Sequence, residues 1–314
     1  MRYRISHTTV YEYSDQVSQG YSVAYLVPRD TPEQKVLRSE LKVSPLPATQ
    51  LKQFDYFGNT VCSFSVEKPH KKLEVRVDSE VEVAPSENRL LGSGMTCADV
   101  RQAIAGCATA ADIQASEFCF NSPMIGRSNE LADFASALFS DEREFVTAVN
   151  ELNNRIFEEF QYDPGFTTVA TPLDEVLLNK RGVCQDFAHF AIGVLRSLGF
   201  AARYVSGYLE TLPPPGQQKL KGADASHAWF AVYVPGDDWY DFDPTNGAMP
   251  SGQHITTAWG RDYSDVTPLK GVVFGGGADQ ILSVAVDVER VNEGSVQDQI
   301  QTQTQTQIQN PSQG

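Results

Sequence analysis

The sequence lacks paired cysteines, which excludes two classes of small stabilised domain. Its five cysteines stand at positions 62, 97, 107, 119 and 184, and no two of them form a CxxC pair. An odd number at irregular spacings does not suit a disulfide framework. Without a CxxC pair, a structural zinc site of the usual spacing is not expected either.

Positive charge and long apolar runs are also scarce. The chain has 25 Lys and Arg against 40 Asp and Glu, which gives a formal net charge of −15. So acidic a chain is not expected to bind nucleic acid or anionic lipid. No apolar run approaches the length of a membrane span, and the first residues lack the apolar core of a signal peptide. We therefore expect a cytoplasmic protein with no membrane partner, and the composition leaves its oligomeric state open.

The length and composition of the chain suit about two globular domains, since 41% of its 314 residues are hydrophobic. Residues 1–85 are rich in β-branched and aromatic residues that alternate with polar ones, which predicts an N-terminal β-sandwich domain. Residues 86–140 contain short helical patterns, one of them capped by Thr96 and Asp99, and predict a helical connecting region. The tail at 293–314 is rich in Gln and Thr and is predicted to be disordered.

Residues 141–292 combine helices with an antiparallel meander and predict an α+β catalytic core. The clearest helix spans about 141–160, another opens with Pro172 at its first position, and a third contains Cys184. Strands are predicted at 201–209, 226–234 and 239–243, and a last one at 281–288 adds to a sheet. A Pro-rich stretch at 212–217 is expected to be an exposed connection.

Cys184 lies where a polar loop meets an apolar helical pattern. Apolar residues recur at spacings of three and four from Phe187 to Leu198 and are followed by Gly199. Cys184 is therefore expected in the first turn of a helix, where unpaired N–H groups and the helix dipole stabilise a thiolate. A lone cysteine is more often a small core residue, so a nucleophile role requires a base elsewhere in the chain.

A candidate base, His227, and a candidate orienting carboxylate, Asp243, follow on two predicted strands that form a hairpin. If the apolar residues of both strands share a face, Phe230 lies opposite Phe242. This register puts Trp229 opposite Asp243 and His227 one diagonal step from Asp243, on the same face. It requires a loop of three or five residues, because a four-residue loop would separate the two side chains.

Asp241 shares that face and is the alternative orienting residue. Asp243 is favoured because Pro244 follows it and holds the strand end extended. A metal site built on Cys184 with His189 or His227 would lack a second paired-ligand motif. His189, five residues after Cys184, projects from a different side of the helix, so we expect it and Asp186 to support structure.

Several motifs together resemble a known family. They are Gly182-Val183-Cys184, His227-Ala228-Trp229, Asp243-Pro244-Thr245-Asn246, Pro28-Arg29-Asp30, Asp55 to Asn59, Arg203 to Tyr208 and Asp262 to Val266. From residue 1 to about 290 the chain resembles the bacterial branch of the transglutaminase-like superfamily, which carries an N-terminal β domain. The resemblance implies a papain-like core in which Cys184 is the nucleophile, His227 the base and Asp243 the orienting residue.

The resemblance implies thiol-dependent acyl transfer or hydrolysis on a protein or peptide amide, through a thioester and with a primary amine as one acceptor. A cysteine peptidase or amidase of the same fold is the first alternative, and a binding module with a vestigial triad is the second. Gln185 and Tyr208 are candidate oxyanion donors, and Trp229 is a candidate shield for the thioester. No cofactor or metal is expected, since no loop has the carboxylate spacing of a calcium site.

Overall fold

The computed structural model describes residues 1–85, 93–169, 171–211 and 226–291. The predicted tail and the Pro-rich connection lie outside these residues, as does the start of the connecting region. The strands are β1 Arg2–Ala24, β2 Gln34–Ser44, β3 Thr49–Phe54, β4 Thr60–Val66, β5 His70–Val83, β6 Gln161–Tyr162, β7 Arg181–Gly182, β8 Ala202–Leu209, β9 Ser226–Tyr233, β10 Trp239–Phe242, β11 His254–Gly260, β12 Leu269–Gly275 and β13 Gln280–Arg290.

The helices are α1 Cys97–Gly106, α2 Ala110–Ser116, α3 Asn129–Ala135, α4 Phe145–Glu159, α5 Leu173–Asn179 and α6 Cys184–Ser197. The predicted cap of α1 is confirmed, because Thr96 and Asp99 form a reciprocal capping box. Helix α4 starts later than predicted, since the Glu144 side chain accepts from Thr147 N–H and acts as the N-cap. Pro172 is likewise the N-cap of α5 rather than its first residue.

The N-terminal β domain is organised by the long strand β1. Its first half pairs with β5 and β13, its second half pairs with β4 and β12, and the register shifts between Glu12 and Val17. Side chains from both halves meet in one core, where Val75 and Val77 pack with Cys62 and Phe64. These strands form a seven-stranded sheet organised on β1, and its two halves bury a common apolar interior.

The second sheet has the order β10-β9-β8-β11, with antiparallel neighbours. Helix α6 covers one face, where Phe187 and Phe190 join Phe230 and Phe242 in a large buried cluster. Since one face packs on a helix, the predicted α+β class is confirmed. Among the helices in the described ranges, none combines the length and apolar character needed to cross a bilayer.

The opposite face of this sheet packs against the N-terminal domain. The Arg29 guanidinium lies 3.2 Å from the ring centre of Trp259, and the Asn59 side chain exchanges two hydrogen bonds with the Trp259 backbone. Two sequence motifs, around Arg29 and before Asn59, therefore serve domain packing. The second sheet is buried on both faces as a result.

The last two strands return to the N-terminal domain. Strands β12 and β13 both pair with β1, although the sequence pattern grouped them with the catalytic core at 141–292. Val286 and Val288 of β13 pack with Tyr3 and Ile5 of β1. An alternating apolar pattern identifies a strand but carries no information about which sheet it joins, so the partner was not predictable locally.

Candidate active site

Helix α6 begins at Cys184, directly after the short strand β7. The Asp186 carboxylate accepts from Val183 N–H at 2.8 Å and from the Thr167 hydroxyl at 2.6 Å, which closes the N-terminus of the helix. Burial raises the pKa of Asp186. A Cβ at Gly182 would lie 2.6 Å from an Asp186 oxygen, so only glycine fits there. Cys184 is thereby held, half-buried, in the first turn.

The hairpin that carries His227 has the predicted register. Phe242 lies opposite Phe230, and Tyr240 lies opposite Val232. A backbone hydrogen bond from Val234 to Asp238 leaves a loop of three residues, and Gly236 in it adopts a φ of +79°. The apolar pattern thus predicted the hairpin correctly.

His227 and Asp243 lie in contact, with 2.8 Å between His227 Nε2 and Asp243 Oδ2. Burial lowers the pKa of His227, but hydrogen bonds to Asp243 and Cys184 outweigh it and raise that pKa to about 10. The imidazole therefore joins the carboxylate to the thiol and carries a proton at neutral pH. A positively charged imidazolium thus lies beside the Cys184 thiol.

The Asp243 carboxylate is fully buried and accepts hydrogen bonds on both oxygens. Its Oδ1 accepts from the backbone N–H groups of Thr245 and Asn246, and its Oδ2 accepts from the Asn246 side chain at 2.7 Å. Burial alone would raise the pKa of Asp243, yet hydrogen bonds from His227 and His254 hold it well below its usual range. The carboxylate is therefore ionised and fixed in orientation.

His254, at the start of β11, was missed in the sequence analysis. Its Nε2 lies 2.9 Å from the same Asp243 Oδ2 that His227 contacts. The β-branched residues after His254 could have indicated a strand, but nothing local links that strand to Asp243. These two imidazole nitrogens and the carboxylate oxygen lie within 4.8 Å of one another, a set that could hold a metal ion. Hydrogen bonds between N–H and carboxylate already satisfy them.

The other three predicted site residues, Gln185, Tyr208 and Trp229, lie in different surroundings. Gln185 donates to the Val169 carbonyl at 3.3 Å and is near the helix start. Tyr208 is buried between the domains and donates to the Leu26 carbonyl at 3.2 Å, which argues against the oxyanion role suggested for it. Trp229 is fully buried, with its ring centre 6.1 Å from that of His227.

The structure also gives the positions of Asp241 and His189. His227 contacts Asp243, whereas Asp241 lies opposite Ala231 and lines a cavity between the two domains. His189 accepts from Tyr263 N–H at 3.1 Å, and burial lowers its pKa to about 4. A neutral, buried His189 with this partner is a structural residue.

Comparison with known families and proteins matches both parts of the chain. Residues 3–82 match the bacterial transglutaminase-like N-terminal region, and residues 132–244 match the transglutaminase-like superfamily. An uncharacterized protein of Mycobacterium tuberculosis is 38% identical over 293 residues, covering 91% of this chain and 92% of that protein. A second, from Mycobacterium leprae, is 32% identical over 297 residues and covers 92% and 99%.

Two further similarities are more distant. A protein-glutamine gamma-glutamyltransferase of Pseudomonas aeruginosa is 29% identical over 147 residues, which are 43% of this chain and 22% of that protein. A crystal structure of a candidate cysteine protease from Cytophaga hutchinsonii has a TM-score of 0.71 at 21% identity and covers 93% of this chain and 92% of its own. That structure shares the fold along both domains. Together with the matched regions and the mycobacterial relatives, it shows that this chain belongs to the transglutaminase-like superfamily, with the bacterial N-terminal region.

Proposed function

We propose that the protein is a thiol-dependent acyltransferase or hydrolase that acts on amides through a thioester on Cys184. One observation carries the proposal: His227 is hydrogen-bonded both to the buried Asp243 carboxylate and to Cys184 at a helix start. A nucleophile, a base and a group that orients the base are the parts that covalent acyl transfer requires.

The chemistry follows from these positions. The Cys184 thiolate attacks the amide carbonyl carbon, and the carbon–nitrogen bond breaks as imidazolium His227 gives its proton to the leaving amine. A thioester remains and His227 is neutral. An incoming amine or water then attacks the thioester and loses a proton to His227, while Cys184 leaves as a thiolate. Backbone N–H groups in the first turn of α6 are positioned to stabilise the oxyanion.

The acceptor of the acyl group distinguishes the two proposed activities, since a transferase uses an amine and a hydrolase uses water. The similarity to a protein-glutamine gamma-glutamyltransferase supports an amine acceptor, although the match spans only part of that protein. Fully buried Trp229 lies beside His227, with 6.1 Å between their ring centres. We propose it as a shield that keeps water from the thioester and so favours amines. Protein or peptide amides are the proposed donors.

An acyl-donor screen tests the proposal. Wild type and Cys184→Ala are incubated with glutamine-containing peptides, with and without a primary amine, and products are weighed by mass spectrometry. We expect amine adducts from the wild type and no turnover from Cys184→Ala, because the thioester requires the thiol. Cys107→Ala is the matched control, since Cys107 is also half-buried but lies in another part of the chain.

Each outcome has a defined meaning. Acid products alone, even with amine present, would make the protein a peptidase or amidase. Turnover by Cys184→Ala would require another nucleophile and would refute the mechanism. A wild type that forms no product and whose Cys184 reacts with thiol reagents no faster than the other cysteines would favour a binding module with a vestigial triad.

A further inference from the structure

The Asp243 carboxylate accepts hydrogen bonds from two histidines rather than from one. Its Oδ2 accepts from His227 at 2.8 Å and from His254 at 2.9 Å, and the two side chains are at most one-tenth exposed. The proposed mechanism uses only His227. A buried hydrogen bond to a charged carboxylate is strong, so the second imidazole needs its own explanation.

The two imidazoles differ in their remaining nitrogen. In His227 the bond to Asp243 uses Nε2, and the side chain is also hydrogen-bonded to Cys184. In His254 the bond to Asp243 also uses Nε2, but buried Nδ1 has no hydrogen-bond partner in the described part of the chain. A proton there would be a buried donor without an acceptor, which is costly. The geometry therefore places the hydrogen of His254 on Nε2, whereas both sides of the His227 ring have a partner.

The sheet holds His254 in this place. Its ring centre lies 5.1 Å from that of Trp229 at an interplanar angle of 80°, an edge-to-face contact that fixes the imidazole plane. Gly207 of the intervening strand β8 makes room for this: a Cβ there would lie 2.6 Å from the Trp229 ring and 2.1 Å from the Ile255 carbonyl oxygen. The close approach of β11 and Trp229 thus depends on a glycine.

Resting on the proposed function, we infer that His254 is a positioning residue that acts through Asp243. By donating to Oδ2, it takes up part of the hydrogen-bonding capacity of the carboxylate and limits how strongly Asp243 stabilises the charged imidazolium of His227. The proton on the other ring nitrogen of His227 must pass to the leaving amine, so a less stabilised imidazolium gives it up more readily. Asp243 keeps its orientation without His254, because two backbone N–H groups and Asn246 still bind it.

The charged surroundings of this cluster come from several elements. Besides Asp243, the ionisable groups near His254 in the described part of the chain include His227 on β9 and Glu210 after β8. Asp241 on β10 and Glu33 before β2 line the same cavity of about 180 Å³ as His254. Cys184 on α6 contacts His227. The His254 variants keep all these groups, so a difference between a His254 variant and the wild type reports on His254.

Long-range ¹H–¹⁵N NMR of the imidazoles tests the inference without a substrate. In the wild type near pH 7 we expect His254 as the neutral Nε2–H tautomer and His227 as the doubly protonated form. The chain has five histidines, so single substitutions assign the signals. A cationic His254, or one with hydrogen on Nδ1, would overturn the inference even if no variant folds.

Variants test the coupling. His254→Leu removes the donor, and the titration midpoint of His227 should rise by about one pH unit, the effect of losing one charge-assisted hydrogen bond on its partner. His254→Gln, whose amide can still donate, should leave the midpoint near the wild-type value. In an Asp243→Asn background, His254→Leu should cause no shift, because the route through the carboxylate is gone.

The opposing results are equally definite. An unchanged His227 midpoint in His254→Leu, or the same shift in the Asp243→Asn background, would refute action through Asp243. The acyl-donor screen separates this failure from that of the proposed function. Activity lost in Cys184→Ala but unaffected by His254→Leu would refute only the inference, whereas the expected NMR results with no Cys184-dependent turnover would refute only the proposed function.

Discussion

The two sheets each bury a histidine, and the two histidines behave in opposite ways. His7 of β1 is 1% exposed, its Nε2 is hydrogen-bonded to the Thr9 hydroxyl and its ring centre lies 5.7 Å from that of Tyr208. Burial lowers its pKa to about 4. The His227 side chain of β9 is 10% exposed, and its pKa rises to about 10. Burial penalises the charged form in both. Of these two histidines, only His227 has a buried carboxylate and a thiol as hydrogen-bond partners, so its partners outweigh the effect of burial on its charge.

The cysteines of the two regions show the same contrast. Burial raises the pKa of Cys62, which lies in the β-sandwich core. Cys184 lies at a helix start and is hydrogen-bonded to a protonated imidazole. The core of the N-terminal domain thus favours the neutral forms of His7 and Cys62, whereas the second sheet places a buried carboxylate beside a protonated imidazole. That difference distinguishes a supporting domain from a candidate active site within one chain.

The largest expected effect comes from removing the negative charge beside His227, which leaves this histidine buried without a carboxylate partner, as His7 is. Asp243→Asn removes the negative charge, so the pKa of His227 should fall from about 10 and the thiolate should lose its counter-ion. We expect the rate of acyl transfer to drop by roughly 10³-fold or more while the fold persists. Steady-state kinetics and circular dichroism check this. Asp241→Asn, on the same hairpin, is the control, and a larger loss there would transfer the orienting role to Asp241.

Thiol labelling sharpens the contrast between the cysteines. At pH 6, iodoacetamide should modify Cys184 roughly tenfold or more faster than Cys62, because an ordinary thiol is almost fully protonated there. Burial raises the pKa of Cys119 to about 11, so it should also react slowly. Peptide mapping by mass spectrometry gives each rate. Uniform slow labelling of all five cysteines would remove the distinction between the two regions.

The smallest effect concerns stability. The pKa of His7 is lowered in the folded protein, so its neutral form contributes stability that is present above about 6.5 and lost as pH falls toward 4. In His7→Gln that loss disappears, and the fall in unfolding free energy between pH 7 and pH 4 should be smaller by about 2–3 kcal/mol. Urea unfolding at the two pH values measures it. An equal fall in both proteins would show that His7 is not buried neutral.

Much of the site was predictable because its signals are local or have a period of two. The helix start at Cys184 follows from apolar spacing, and the hairpin register follows from the alternation that puts Phe230 opposite Phe242. A one-residue slip would expose the apolar face of the hairpin. The parity of the apolar pattern is therefore enough to bring His227 and Asp243 to the same face.

The features that the sequence did not predict depend on which distant strands become neighbours in a sheet. The sequence by itself determined the helix start and the hairpin, since each rests on short-range pattern and propensity. Only the tertiary structure decided that β13 returns to β1 and that β11 brings His254 to Asp243. Strand order depends on contacts between segments far apart in the sequence, and the same contacts bury the second sheet on both faces. In that buried place the ionised Asp243 carboxylate has no water to hydrogen-bond it, so donors from distant strands satisfy it.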